Sequence, residues 1–266
     1  EHSLFDAGYT TGLIFVPRLA EAKGPFSARL DMLESSLAGC ICFANPEMSS
    51  IVEELDRRKY PWIAIGQPGE PFKSNFVSAD NFHASRKVGT IFARCGFTNA
   101  LLLTHQMSDS PSAVSKATGF FQGYLEQGVS TEGIRVISCP SLDEAGGYTV
   151  LQKLLNESYR PQAIYVQADY LAMGAIRAIQ EAGLRVPDDV SVVGSTGLVR
   201  ARSFNPPLTV IEQPMVELGQ TAVQLLHEMI SEGILKCAPR WIQCRLRLRE
   251  SLKVSDSIKS ELQISE

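Results

Sequence analysis

Pro161-Gln162-Ala163-Ile164-Tyr165-Val166-Gln167-Ala168-Asp169-Tyr170-Leu171-Ala172-Met173-Gly174-Ala175 opens the segment that decides the fold, and Gly183-Leu184-Arg185-Val186-Pro187-Asp188-Asp189-Val190-Ser191-Val192-Val193-Gly194 closes it. The apolar run Ala163 to Val166 predicts a strand covered on both faces. A helix is expected from Tyr170 to Ala182, with Gly183 as its left-handed cap, and Val190 to Gly194 returns as the next strand. A strand, a helix and a second strand in this order form a crossover unit, and repeated crossover units build parallel sheets.

The rhythm extends in both directions. Upstream, strands are predicted over Thr11–Pro17, Cys40–Phe43, Trp62–Gly66 and Ala100–Thr104, with helices over about 26–37 and 82–95 between them. Ser50-x-x-Glu53 reads as a capping box opening a further helix over Ile51, Val52 and Leu55, which Tyr60-Pro61 stops. Across the middle, helices are expected over 113–127 and 142–156, flanking a strand at Gly133–Ser138. Downstream come a strand at Leu208–Ile211, a helix over about 215–229, and a strand over Ile242–Leu248. In that last strand Cys244, Leu246 and Leu248 alternate with Arg245, Arg247 and Arg249, one buried face and one wet one.

About nine strands exceed what one doubly wound sheet usually holds. The economical arrangement is α/β with two lobes, each a doubly wound parallel sheet with helices on both faces. The joins are expected near Leu103-Thr104-His105 and again after Pro207. That gives an N-terminal lobe of 1–103 with about 212–235, a C-terminal lobe of 104–211 with about 236–251, and a tail of 252–266.

Composition narrows the function. With 266 residues the chain suffices for two lobes, and its net charge of −4 disfavours phosphate-backbone binding by this chain alone. The basic clusters are short: Arg57-Arg58-Lys59 and Arg200-Ala201-Arg202. No stretch approaches a membrane-spanning length, and Glu1 to Tyr9 does not resemble a signal peptide. Cys40 and Cys42 share one strand face and read as small packed groups, so no metal site is expected; the six cysteines suit a reducing cytoplasm.

Enzyme signatures are missing. Gly194-Ser195-Thr196-Gly197 lacks the residue between the first glycine and serine that a nucleophile elbow needs, and no phosphate-cradling glycine motif occurs. No cofactor is expected. Polar groups instead gather at strand ends: Asp80, His105, Gln167, Asp169, Ser195 and Thr196. Those ends are where α/β sheets hold ligands. Asp169 also suits the N-cap of the helix beginning at Tyr170.

These residues resemble the effector-binding core of the lactose/purine repressor family, which shares the two-lobed fold of periplasmic sugar-binding proteins. Pro161 to Ala175 follows the family's P-x-A-(I/V)-x-x-x-N-D-x-x-A-x-G-A, and Gly183 to Gly194 follows G-x-x-(I/V)-P-x-D. Pro206-Pro207-Leu208-Thr209-Val210, Gln213-Pro214 and Leu246-Arg247-Leu248-Arg249-Glu250-Ser251 match later motifs. Ala38-Gly39-Cys40-Ile41, Pro61-Trp62-Ile63-Ala64-Ile65 and Asp80-Asn81 fall at the expected spacing in the first lobe. The resemblance covers about residues 8 to 251.

The resemblance implies an effector site. Lys116 falls on the arginine of the family's R-x-x-G-(F/W), Asp169 on the aspartate of N-D with Ala168 replacing the asparagine, and Thr196 on the first aspartate of G-(F/Y)-D-D. Lysine offers a point donor where arginine offers a planar fork, and threonine is neutral where a sugar site has a carboxylate. It further implies a homodimer in the cytoplasm that reaches operator DNA only through a head absent from this sequence. Val52, Leu55 and Trp62 could face such a partner, and core packing explains them as well. The first strand and most of the first helix also look absent, with the tail from Leu252 one candidate for the vacant slot. The function implied is sensing of a small polar molecule, a sugar being one candidate, between the lobes. Alternatives are an extracytoplasmic solute-binding protein, a ligand-independent assembly domain and an α/β enzyme.

Overall fold

The computed structural model describes residues 36–44, 48–69, 73–105 and 110–261. The strand expected at Thr11–Pro17, most of the helix expected at 26–37 and the question of the vacant first-strand slot lie outside them. The chain forms two compact units. One runs through Ala79 and resumes over Pro214–Ile242; the other holds Asp80–Gln213 and Gln243 onward.

In the first unit, strands β1 (Cys40–Phe43), β2 (Trp62–Ile65) and β3 (Phe76–Ala79) lie parallel, in that order. Helix α1 (Met48–Arg57) brings Val52 and Leu55 against Trp62, Ala64 and Phe76. Val52, Leu55 and Trp62 are thus core residues, nearly devoid of exposure, and not a surface for a partner. Trp62 satisfies its buried ring N–H by donating to Asp56 at 2.8 Å. Helix α1 begins at Met48, two residues ahead of the opening expected at Ser50.

The second unit carries β4 (Ala100–Thr104), β5 (Ile134–Ser138), β6 (Ala163–Val166), β7 (Ser191–Thr196) and β8 (Thr209–Glu212). The helices between them are α2 (Asn81–Arg94, preceding β4), α3 (Pro111–Leu125), α4 (Glu144–Asn156), α5 (Asp169–Glu181) and the short α6 (Arg200–Ser203). Helix α7 (Met215–Glu232) belongs to the first unit, where it packs on β1, β2 and β3. Strand β9 (Arg240–Ile242) joins the first sheet beside β3, and β10 (Arg245–Arg247) joins the second, antiparallel to β8. The last described element is α8 (Asp256–Glu261).

Period-two alternation covers the second sheet on both faces. Leu101, Leu103, Ile164 and Val166 enter a cluster with Leu151, Leu155, Leu171 and Ile176 from α4 and α5. Ala100, Leu102, Ala163 and Tyr165 enter another with Val88, Phe92, Phe120 and Tyr124 from α2 and α3. Phe120 is its hub, with ring centroids 5.6 Å from Phe92 and 5.2 Å from Tyr165. Each fully buried Leu or Phe contributes about 1.5–3 kcal/mol of transfer free energy. Helices α2 and α3 meet through glycines: a methyl group on Gly123 would lie 2.2 Å from the Arg86 carbonyl oxygen.

Three expectations are corrected. The first crossing between units falls at Ala79–Asp80, not near Leu103–Thr104, because α2 and β4 bury their apolar faces in the second unit. The run read as one strand over Ile242–Leu248 is two, split where the chain crosses at Ile242–Gln243, since its halves pair with different sheets. The second sheet is therefore parallel except for β10, and β3, unpredicted, stands between β2 and β9 in the first.

Candidate functional site

The second sheet has the order β10-β8-β7-β6-β4-β5. Reading β4 as its first strand, the parallel part runs second, first, third, fourth, fifth. Connections leave in opposite directions from β4 and β6, which makes this pair the topological switch point, at whose carboxyl ends doubly wound sheets bind ligands.

Gln167 bridges that switch point. Its backbone N–H donates to the Leu103 carbonyl at 2.9 Å, and its side-chain carbonyl accepts from Thr104 Oγ1 at 2.6 Å. Its amide nitrogen donates to the Ala113 carbonyl at 2.9 Å, tying the start of α3 to the sheet. The backbone carbonyl of Gln167 accepts from Lys116 Nζ at 3.1 Å. Ser110 caps α3 by accepting from the Ala113 N–H, which fixes the register that brings Lys116 inward.

Lys116 is only 7% exposed. Desolvation lowers its pKa to about 8, opposed by the nearby Cys244 and Asp169. An ammonium has three donors, so the one bond it makes among the described residues, to Gln167, leaves capacity for a ligand.

Asp169 corrects a further expectation: the N-cap of α5 is Ala168, and Asp169 is the first helical residue. Its fully buried carboxylate turns to the loop after β7, where Oδ2 accepts from the backbone N–H groups of Gly197 at 2.8 Å and Leu198 at 2.7 Å. Oδ1 is buried and has no hydrogen-bond partner among the described residues. Burial raises the Asp169 pKa; the two N–H donors, Lys116 and Arg249 pull it back.

The other expected residues are placed as follows. Ser195 is buried, whereas half-buried Thr196 donates to the Ser195 carbonyl. His105, half-buried beyond β4, makes an Nδ1 contact with the Cys139 carbonyl at 3.0 Å, which requires the proton on Nδ1 and leaves Nε2 to accept in the neutral ring. Asp80 caps α2 by accepting from the His83 N–H and also meets His83 Nδ1 at 2.7 Å. The geometry therefore joins Lys116 to Gln167 by contact and to Asp169 by charge, while Asp80 and His105 make their hydrogen bonds to other partners.

Four further polar residues belong to this region. Asn81 donates to Ser112 Oγ at 3.0 Å and accepts from Gln213 Nε2 at 3.4 Å. The half-buried Cys244 thiol, pushed up to about 11 by desolvation, is influenced by both Lys116 and Asp80. Asn81 and Gln213 stand beside residues already singled out, at Asp80-Asn81 and Gln213-Pro214. Ser112 and Cys244 carry no signal of their own in the sequence.

Among the described residues no group of three or more His, Cys, Asp or Glu is placed to hold a metal ion, and no helix is long and apolar enough to cross a membrane. The basic clusters are engaged: Arg57 and Arg58 pair with Glu54, Arg200 with Glu144, and Arg202 with Glu212.

Two units of covered parallel sheet, one with buried polar groups gathered at its topological switch point, define a solute-binding module of the periplasmic-binding-protein type. The chain belongs to the periplasmic binding protein-like domain family, whose pattern matches residues 90–252. It is 42% identical over 259 residues to the HTH-type transcriptional repressor PurR of Escherichia coli O1:K1, covering 96% of this chain and 74% of that protein. PurR of Edwardsiella ictaluri is 30% identical over 235 residues, covering 87% of this chain and 67% of the relative. A LacI family transcriptional regulator from Enterococcus faecium, solved with bound ribose, superposes with a TM-score of 0.81 at 21% identity, over 96% of this chain and 91% of that one. A dimeric Lac repressor superposes with a TM-score of 0.74 at 25% identity, over 86% and 83% of the two chains. These homologues are transcriptional regulators, and the chain corresponds to their effector-binding cores.

Proposed function

We propose that this chain is the effector-sensing part of a cytoplasmic, dimeric transcriptional regulator. It binds a small polar molecule at the carboxyl ends of β4, β6 and β7 and changes DNA binding of the full-length protein. No chemical step is involved. The observation that carries this reading is the buried Lys116 ammonium, with donors to spare, held on the Gln167 carbonyl at the switch point. Such a group, within electrostatic reach of the Asp169 carboxylate, offers what hydroxyls or a carboxylate on a ligand need. Homologous regulators supply the link to transcription. One fold relative carries ribose and another cellobiose, which supports counting sugars as candidates. The neutral Thr196 and Gly197 leave fewer carboxylates here than in the family pattern, which broadens the candidates to nucleobases and organic acids.

A ligand shifts a regulator only through different affinities for its two states. Calorimetric titration with sugars, nucleobases and organic acids, repeated on Lys116→Ala and Asp169→Ala, tests the proposal. At least one class should bind, with affinity lost on the order of tenfold or more in each variant, as expected when a hydrogen bond to a charged group is removed. Unchanged affinity in both variants would remove the site from this place. One observation favours a ligand-independent assembly domain instead: Asp169 Oδ2 is already engaged by the Gly197 and Leu198 N–H groups. In that case no compound in the panel raises the melting temperature.

A further inference from the structure

Cys40 and Cys42 alternate with Ile41 on β1, so both thiols project from one face of the strand. Their sulfur atoms stand 3.8 Å apart. Both are free and only partly buried, at the border of the cluster built by Val52, Leu55 and Trp62.

The spacing discriminates between two uses of such a pair. A disulfide needs sulfurs about 2.05 Å apart and α-carbons within about 4.4–6.8 Å. Next-nearest residues on an extended strand lie about 6.6 Å apart, near the far limit of that range. Two thiolates on one tetrahedral d10 ion, each bonded at about 2.3 Å, stand about 3.8 Å from each other. The observed separation matches the second arrangement without movement of the strand. No third His, Cys, Asp or Glu groups with them among the described residues, so of those residues the pair alone supplies donors. Thiolate softness selects zinc-type ions over hard cations such as magnesium.

We infer that Cys40 and Cys42 form a two-thiolate site for a single thiophilic divalent ion of the zinc and cadmium type. Binding forms two metal–sulfur bonds and releases the thiol protons to solvent; no electron is transferred. The site lies in the first unit and is independent of the effector site proposed above.

Cadmium is the probe, because its thiolate complexes absorb in the ultraviolet while the ion itself does not. The reduced full chain should take up one Cd2+ and develop the sulfur-to-cadmium band. Cys40→Ser and Cys42→Ser should each weaken uptake by more than about tenfold, since either removes the intramolecular second contact. Cys95→Ser and Cys237→Ser should leave it unchanged. Protection of the unsubstituted chain from N-ethylmaleimide, mapped by peptide mass, covers the case in which a serine variant fails to fold. Cd2+ should shield Cys40 and Cys42 together and leave the rates at Cys95 and Cys237 as they were. Full-affinity uptake in either of the first two variants, shielding of only one of the pair, or no uptake at all overturns the inference.

Discussion

The Asp169 carboxylate rests against the backbone of Gly194: a methyl group at Gly194 would lie 2.6 Å from Asp169 Oδ1 and 3.0 Å from a Leu208 methyl. Glycine in mid-strand usually weakens a sheet, yet here it makes the room in which a fully buried carboxylate reaches the turn after β7. Gly194→Ala should push the carboxylate off the Gly197 and Leu198 N–H groups. The expected cost is about 1–3 kcal/mol, the range for overpacking, read as a lower urea midpoint with an unchanged slope. Stability equal to the parent would mean that the carboxylate can swing aside freely.

Gln167 makes the next prediction, because three segments meet on one side chain. Replacing it with Leu removes the acceptor of Thr104 Oγ1 and the donor to the Ala113 carbonyl, leaving both to seek other partners in a buried place. Each orphaned group costs roughly 1–3 kcal/mol. Thr104→Val alone removes one of the two bonds and should cost less. A double-mutant cycle between these positions should show coupling of about 0.5–3 kcal/mol; additive effects would show that the Thr104–Gln167 contact does not hold the strand ends.

How much of this was legible in the sequence depended on whether local pattern or tertiary pairing decided an element. The runs at Ala100–Thr104 and Ala163–Val166 are apolar without interruption because both faces of the second sheet are covered, and they were readable as strands. Gly183, at φ +78°, caps α5 as its position suggested. Phe76-Val77-Ser78-Ala79 is short and mixed in polarity, so β3 left no clear signature. The alternation from Ile242 to Leu248 is genuine, but which sheet each half joins depends on partners distant in the chain. Asp169 shows the same limit at the level of one residue. A carboxylate at a helix start suits a cap locally, and only the arrival of Gly197 and Leu198 redirects it.

Ser251, the last residue of the family's closing motif, is a fully buried hydroxyl that stitches two strands. Its Oγ donates to the Val192 carbonyl at 2.6 Å and accepts from the Thr209 N–H at 2.8 Å, while its backbone N–H and carbonyl bond Pro207 and Val192. Ser251→Ala removes the side-chain bonds and leaves the Thr209 N–H without that acceptor inside the core. The expected destabilisation is about 2–3 kcal/mol. Ser251→Thr keeps the hydroxyl and should recover part of it, provided the added methyl is accommodated. Hydrogen exchange at the Thr209 amide should quicken in the alanine variant, and an unchanged rate there would count against this role.

Lys116 gives a pH signature with a definite sign. In the native state its pKa is lowered from 10.5 to about 8, chiefly by desolvation. Below about pH 8 both folded and unfolded chains carry the ammonium, and the folded one bears the cost of burying it. Between about pH 8 and 10.5 the unfolded chain holds more protons than the native one, so this residue makes stability rise with pH across that window. The full span corresponds to roughly 3 kcal/mol. Lys116→Met deletes this contribution, so the difference in stability between parent and variant should shift in favour of the parent as pH climbs through the window. Urea unfolding at a series of pH values measures that difference and cancels the titration of tyrosines and cysteines common to both chains. Parallel profiles would place the Lys116 ammonium in water in the native state, and the buried donor on which effector binding is argued would not exist.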